Sequence, residues 1–479
     1  MNPWEWESFD SFIDYQSKVA NAGPLREPIS SLSIKRDDKL QLVIETVAAQ
    51  DAKTSAIIPP LGTVRTNTDT VELDSYGVKV VATGVQSLGF RSKINQESRL
   101  EEFRENVLIH SLEAVIENSG DAVYTMEWLA NVEDRFIWPD LTNDETDFVT
   151  LRSFGNAKDG PILKCSRKSF GGSRNCVKLS VANVDLYLGV SLTTLTEKRI
   201  KPGFILYIGT LSDDVRLKIR DCLSFSLGMY LVYLGYSTFN QDWDLTSFKA
   251  VSAYSIDEKV FDERTLPPSP LGSRWENEID SLLLTRAINA LYSKYDTLEF
   301  GRLSWMYWHA VYAPVHTAAV QFGATIEALQ NIYFQGLAKT KLLVKTDWDV
   351  LNPTVQVLQG LISGLDIEDR IKSILKSKLG QLNDPPQNVM AERLLKILQL
   401  DLGELEKAAW KRRHDAAHGN EVENNDYIRL IRDVKLLKIR FHRILLCITG
   451  AFDSYYDYYT LGHPKRNLRD PVPDDFSTI

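Results

Sequence analysis

The residues best suited to chemistry lie in one short string, WKRRHDAAHG, at positions 410–419. Within it, His418 follows Arg413 by five positions. An arginine guanidinium is always charged and can bond two phosphate oxygens at once. A histidine exchanges protons near neutral pH. Together they supply what cleavage of RNA by its own 2′-hydroxyl needs, namely proton transfer and a cation for the phosphate, and this chemistry requires no metal ion.

The spacing of the pair limits the local structure. Five positions along a regular helix turn about 500°, which leaves the two side chains about 140° apart. They converge only where the helix ends or bends between them, and Gly419 predicts an end at His418 because glycine favours the left-handed position after a helix. The alternative is structural: Lys411, Arg412 and Arg413 then offset the helix dipole, and His418 caps the helix.

Three further residues are candidates to support the pair. Arg412 and His414 flank Arg413 in the sequence. His414 is a second candidate for proton transfer, or else a residue that faces a partner subunit or bonds locally. Glu327 lies in an otherwise apolar helical pattern, and two interpretations of it are open. Its carboxylate orients Arg413 or His418, or it lies on a solvent face.

Four arginines share one side of the last long predicted helix. On a helical wheel they fall within about 80° of one another. They are interpreted either as a track for the RNA backbone or as a solvated face of the helix. These RNA-binding candidates are Arg429, Arg432, Arg440 and Arg443.

The charge distribution places any RNA-binding surface in the C-terminal part. The whole chain has a net charge of −9. Residues 391–449 contain twelve Lys and Arg against nine Asp and Glu, which is +3 and leaves −12 for the rest. Because a uniformly acidic protein would repel nucleic acid, RNA binding must be local.

The cysteines indicate neither a metal site nor disulfides. They form no CxxC pair and no Cys/His cluster with zinc-ligand spacing, so we expect no metal and no cofactor. Scattered cysteines and an acidic, aromatic start predict reduced thiols in a cytoplasmic protein. Ser, Thr and Gly interrupt the uncharged run at 222–240, which predicts a buried helix rather than a membrane span. The cysteines are Cys165, Cys176, Cys222 and Cys447.

The N-terminal part predicts a β-rich domain over residues 1–255. Short segments rich in Val, Ile, Leu and Tyr fill positions 30 to about 210, and several alternate apolar with polar residues, which is typical of a sandwich-like or barrel-like region. A helix at about 98–107 is predicted to interrupt the strands. A buried helix at about 213–236 is predicted to end the domain.

The C-terminal part predicts an all-α domain over residues 276–460, so the predicted fold class is α+β. A Pro-rich linker at 256–275 precedes it, because prolines continue neither a helix nor a central strand. A tail follows at 461–479. The predicted helices are 276–295, 302–337 with a break or kink at Pro314, 368–382, 391–400, 402–419 and 427–459.

The motif and its surroundings resemble those of HEPN domains. Arg413, His414 and His418 match the R-x(4–6)-H motif of that family, in which a polar residue usually follows the arginine. Glu327–Leu329 resembles the E-A-L element of the early core helix, and the aromatic end at 444–459 resembles the last helix of the ApeA-like branch. The segment at 219–235, followed by PPSPL, resembles the join between the two domains of ApeA-type antiphage proteins.

This resemblance implies a function and a site. It implies a metal-independent endoribonuclease of antiphage defence, of the abortive-infection kind, with Arg413 and His418 as catalytic residues. It also implies a homodimer, and an N-terminal domain that senses a phage-derived or small-molecule trigger. The alternative is a HEPN-like module that binds RNA or a nucleotide, or only dimerises, without catalysis.

Overall fold

The computed structural model describes residues 7, 18–54, 69–75, 78–94, 101–132, 136–153, 162–191, 200–253, 260, 270, 278–335, 341–417 and 427–474. The chain divides into two compact units, residues 1–289 and 290–479. The first unit contains the large sheets, and the second is mainly helical. The predicted α+β class is therefore confirmed.

A large antiparallel sheet forms most of the first unit. Within the described residues it has eleven strands. In spatial order they are β1 (Lys18–Asn21), β4 (Thr70–Ser75), β5 (Val78–Thr83), β8 (Ser111–Ile116), β15 (Leu245–Val251), β14 (Tyr233–Phe239), β9 (Tyr124–Leu129), β13 (Gly203–Ile208), β12 (Val184–Val190), β11 (Ile162–Val181) and β10 (Asp140–Ser153). This sheet confirms the predicted β-rich N-terminal region.

A second antiparallel sheet shares a core with part of the first. Its described strands, in spatial order, are β2 (Arg26–Arg36), β3 (Leu42–Thr54), β7 (Glu101–Ile109) and β6 (Gln86–Ile94). Buried aliphatic side chains of both sheets form one cluster, which includes Leu42, Ile44, Val107, Val80 and Leu112. Full burial of such a side chain contributes roughly 1.5–3 kcal/mol, so this shared core stabilises the unit.

The helix predicted at about 98–107 is wrong for the residues that the structure describes there. They form β7, which pairs with β3 on one side and β6 on the other. Alternate residues Glu105, Val107 and Ile109 are buried, as expected of a strand. The glutamates and leucines of the segment favour a helix locally, but pairing to two neighbouring strands outweighs that propensity.

The single helix predicted at about 213–236 is also wrong, because it combines a helix with a strand. The helix α1 covers Asp213–Leu227, and Ser212 caps its start by accepting a hydrogen bond from the Val215 amide at 3.4 Å. Gly228 has a φ of 64° and ends the helix in the left-handed conformation that glycine adopts easily. The following apolar run then forms β14, in the interior of the large sheet.

The second unit is a helical bundle with a small hairpin. The helix α2 (Ser281–Ser293) begins before the unit boundary, and the predicted break at Pro314 is confirmed. The remaining elements are α3 (Phe300–Tyr312), α4 (Val315–Phe334), α5 (Lys345–Ser363), α6 (Asp369–Gly380), α7 (Gln387–Leu398), α8 (Glu404–Ala417), α9 (Tyr427–Thr449), β16 (Ser454–Tyr456) and β17 (Lys465–Asn467). Helix α4 packs against α3, α8 and α9, which makes it the centre of the bundle.

The last helix is shorter than predicted. It ends at Thr449 rather than near residue 459, because Gly450 has a φ of 66° and the next residues pair with β17. The segment after it packs onto the bundle, since Leu468 and Val472 are buried. Residues 461–474 are therefore part of the second unit and not a loose tail.

Aromatic side chains fill the core of the bundle. Tyr307 of α3 stacks on Phe441 of α9 and lies 2.9 Å from His442 Nε2 through its hydroxyl. Trp308 is buried, whereas Trp305 is 62% exposed. Among the described residues, no helix combines the length and apolarity that a membrane crossing requires.

Candidate active site

Arg413 is held between α8 and α4. Its side chain is 6% exposed and runs past Gly323, where a Cβ atom would lie 2.6 Å from the Arg413 Cδ and 2.8 Å from its Nε. One helical turn further along α4, Glu327 accepts a hydrogen bond from Nη2 and forms an ion pair with the guanidinium. The glycine thus provides the space for the arginine, and the carboxylate fixes its orientation.

Trp410 adds a third contact, one turn before Arg413 on α8. The Arg413 Nη1 donates to the Trp410 carbonyl at 2.8 Å, and its guanidinium carbon lies 3.2 Å from the centroid of the Trp410 ring. The Arg440 guanidinium lies 4.0 Å from the same centroid. One indole ring therefore interacts with two cations, an arrangement stabilised by cation–π attraction.

Burial and neighbouring charges act on both arginines. Burial lowers the pKa of Arg413, although the hydrogen bond and charge of Glu327 oppose this shift. Burial lowers the pKa of Arg440 to about 9, with Arg413 and Arg443 also lowering it and Glu406 opposing. A pKa of about 9 leaves the Arg440 guanidinium charged at neutral pH.

Arg412 points to a different helix from its neighbour. Its Nε and Nη2 donate to the two carboxylate oxygens of Asp433 on α9, at 2.7 and 2.6 Å. Asp433 is buried, so this two-bond contact holds α8 against α9. Arg412 is thus engaged in packing, and only Arg413 of the two lies against α4.

The predicted histidines are not fully covered by the structure. His418 lies outside the described residues, and so does the helix end predicted there. His414 belongs to α8 by its backbone, and its side chain is not among those described. Arg413 lies near the described end of α8, four residues before Ala417.

The four arginines of α9 do not form one exposed track. Arg429 and Arg432 are exposed, whereas Arg440 and Arg443 are buried. Arg443 pairs with Glu406 at 2.6 Å and donates to three backbone carbonyls of residues 401, 468 and 469. The four arginines do lie on one side of a regular helix, as the helical wheel indicates. However, α8 and the C-terminal segment cover the second half of α9, so only the first two arginines are exposed.

Comparisons with family models, curated proteins and solved structures find no match to this chain. The site must therefore be interpreted from its own geometry.

That geometry fixes the orientation of one guanidinium group. Arg413 is fixed by Glu327, Gly323 and Trp410, so little freedom is lost when a phosphate oxygen binds to it. Glu327 is 29% exposed in its side chain and Trp410 is half-buried, so the cluster reaches the surface there. Among the described residues, no group of three or more His, Cys, Asp or Glu could hold a metal ion.

Gly323 and Trp410 were not among the residues singled out from the sequence. The signals for them were present but weak. Gly323 precedes Glu327 by four positions in a helix, which places both on one face. Trp410 precedes Arg413 by three, with the same consequence.

A second polar site lies on the large sheet of the first unit, beside the start of α1. It is a cleft of about 470 Å³. Thr125, Thr238 and Ser247 are neighbours across adjacent strands and place three hydroxyl groups in a row along it. Arg216 lines the same cleft and is held by the buried Glu127 at 3.2 Å. The lining suits a small polar ligand.

Proposed function

We propose that this protein is a metal-independent endoribonuclease of the HEPN type, acting in the cytoplasm as an antiphage effector. The observation that supports this most directly is the rigid mounting of Arg413 by Glu327, Gly323 and Trp410. An arginine placed in this way, five positions before a histidine, joins a preorganised phosphate ligand to a proton-transfer group.

The chemistry follows from the two residue types. One His418 takes the proton of an RNA 2′-hydroxyl, and the 2′-oxygen attacks the adjacent phosphorus. The bond from phosphorus to the 5′-oxygen breaks, and a second His418 gives a proton to that leaving oxygen. Arg413 stabilises the negative charge on the phosphate. The products are a 2′,3′-cyclic phosphate and a 5′-hydroxyl.

Because each chain has one His418 and the reaction needs both a base and an acid, the active enzyme is a homodimer. Two copies around a twofold axis bring two histidines and two arginines together, and this is the commonest oligomer geometry. The N-terminal unit responds to a phage-derived or small-molecule trigger, for which its hydroxyl-lined cleft is the candidate binding site.

The test is incubation of the purified chain with total RNA in EDTA. We expect fragments that end in a 2′,3′-cyclic phosphate or the derived 3′-phosphate. His418→Ala and Arg413→Ala abolish the cleavage while leaving the far-UV circular dichroism unchanged. Lys411→Ala removes an exposed cation from the same helix and cuts at the wild-type rate. Cleavage that needs added metal, or 3′-hydroxyl ends, contradicts the proposal.

The second candidate function is RNA or nucleotide binding without cleavage. The burial of Arg413 and its ion pair with Glu327 are compatible with it, because they position the guanidinium without requiring any proton transfer. Toxicity on expression separates the two functions. The nuclease predicts growth arrest that His418→Ala relieves, and the binding module predicts no difference between the two chains.

A further inference from the structure

Four arginines and three carboxylates meet where α8, α9 and α4 pack together. Each carboxylate is committed to one arginine. Glu327 pairs with Arg413, Asp433 with Arg412, and Glu406 with Arg443. The fourth arginine is Arg440, which lies over the ring of Trp410.

Arg440 is a buried cation with an unmet hydrogen-bonding group. It is 3% exposed, and its Nε has no hydrogen-bond partner among the described residues. The cation–π contact with Trp410 replaces only part of the lost hydration. Two charges of the same sign, Arg413 and Arg443, add repulsion that Glu406 opposes. The cation–π attraction thus offsets only part of the cost of burying this charge, and a costly buried charge is typical of a group kept for binding.

The charge balance of the cluster explains what it binds. The pair of Arg413 and Glu327 is neutral as a unit, so it orients an incoming anion but attracts it weakly. Arg440 supplies the positive charge that is not neutralised by a carboxylate. It reaches the same indole ring as Arg413, and the cluster is open to solvent at Trp410 and Glu327.

We infer that Arg440 and Arg413, held on the ring of Trp410, form a binding site for a phosphate-type oxyanion. The identification of that oxyanion as a phosphodiester of RNA rests on the proposed function, whereas the site for the oxyanion does not. Arg440 is thus a substrate-binding residue of the candidate active site and not one member of a surface track on α9.

The experiment compares the full-length wild type with Arg440→Met and with Lys435→Met, which removes an exposed cation from the same helix. Thermal unfolding is followed with and without inorganic phosphate at constant ionic strength. Binding of a 2′-O-methyl RNA oligonucleotide, which has no free 2′-hydroxyl and cannot be cut, is followed by fluorescence anisotropy.

We expect phosphate to raise the Tm of the wild type and of Lys435→Met, and to leave that of Arg440→Met unchanged. Arg440→Met should bind the oligonucleotide about tenfold or more weakly, as for loss of a charged hydrogen bond. Its Tm without phosphate should equal or exceed that of the wild type, since an uncompensated buried charge has been removed.

Two results would overturn the inference, and a third would remove only RNA as the ligand. A wild type whose Tm does not respond to phosphate excludes the site, whatever the folding of the variants. An Arg440→Met protein with a much lower Tm and an unchanged response to phosphate makes Arg440 structural. Phosphate binding that depends on Arg440, together with oligonucleotide binding that does not, removes RNA as the source of the anion. If no RNA is ever cleaved but both binding effects occur, the nuclease proposal fails and this site stands.

Discussion

At the scale of single residues, the orientation of Arg413 depends on the absence of a side chain at Gly323. The glycine lies in the interior of α4, where alanine would be favoured by about 1 kcal/mol. An added Cβ would meet the Arg413 Cδ at 2.6 Å. Since the arginine is a flexible side chain, it would yield rather than the helices, and it would lose its contacts with Glu327 and Trp410.

Gly323→Ala should therefore reduce RNA cleavage at least tenfold while changing the Tm by only a few degrees. The matched control is Gly360→Ala in α5, where a Cβ meets nothing within 4 Å. This control should cut RNA at the wild-type rate. The measurements are initial cleavage rates and thermal unfolding of the two variants. If Gly323→Ala cut RNA at the wild-type rate, cleavage would not depend on the orientation of the Arg413 side chain.

His442 makes the stability of the second unit dependent on pH. Burial lowers the pKa of His442 to about 3, with Lys438 adding to the effect. The unfolded chain binds a proton at His442 below about pH 6.5, whereas the folded protein does not. The contribution of His442 to the free energy of unfolding is therefore fully present above pH 6.5, and it decreases as the pH falls from 6.5 towards 3.

We expect the free energy of unfolding to fall by about 2 kcal/mol between pH 7 and pH 5 because of His442 alone. His442→Gln should lose that part of the pH dependence, whatever its own stability at pH 7. His463→Gln, at an exposed position, is the matched control. Urea unfolding at both pH values gives the comparison. An identical pH dependence in wild type and His442→Gln would contradict the assignment.

At the scale of elements, the ion pair of Glu406 and Arg443 joins three segments of the second unit. It connects α8 to α9, and Arg443 also binds the carbonyls of residues 468 and 469. The second oxygen of Glu406 accepts from the amides of Gly403 and Val472, at 3.1 and 3.2 Å. Both side chains are buried. If one partner were removed, water could therefore not solvate the charge that remained.

Glu406→Gln should lower the free energy of unfolding by about 3–5 kcal/mol, because it leaves the Arg443 charge buried without its carboxylate. Glu404→Gln, two residues earlier on α8, breaks an exposed pair with Lys407 and should change the free energy of unfolding little, because water screens that pair. Chemical denaturation of both variants measures the difference. Equal stability of the two would show that the buried pair does not hold the segments together.

At the scale of the whole molecule, the proposed reaction requires two copies of the chain. Specific RNA-cleaving activity should then fall on dilution below the dissociation constant of the dimer. An excess of His418→Ala protein mixed into wild type should suppress cleavage through mixed dimers, whereas an excess of an unrelated protein should not. Sedimentation at the assay concentration accompanies the kinetics. A monomer with full activity would end the homodimer proposal.

The sequence by itself determined the features that depend on neighbouring residues. Alternating apolar residues indicated most strands of the first unit, and proline placed the break before α4. Periodicity predicted the described helices of the second unit except α5 (Lys345–Ser363), for which the sequence analysis predicted no helix. The pairing of Arg413 with Glu327 was one of two open interpretations. Such features are local, because a helix or a strand buries the face that its own pattern makes apolar.

Tertiary structure decided the features that depend on distant residues. The segment at 101–109 forms a strand because two other strands pair with it. The apolar run after Gly228 forms β14 because β9 of the large sheet pairs with it. The same holds for the arginines of α9. A helical wheel gives the angle of each arginine around the helix axis. It does not give burial: Arg429 is exposed to solvent, whereas Arg443 is buried and bonds to Glu406. Burial depends on which segments, distant in sequence, pack against each turn of α9.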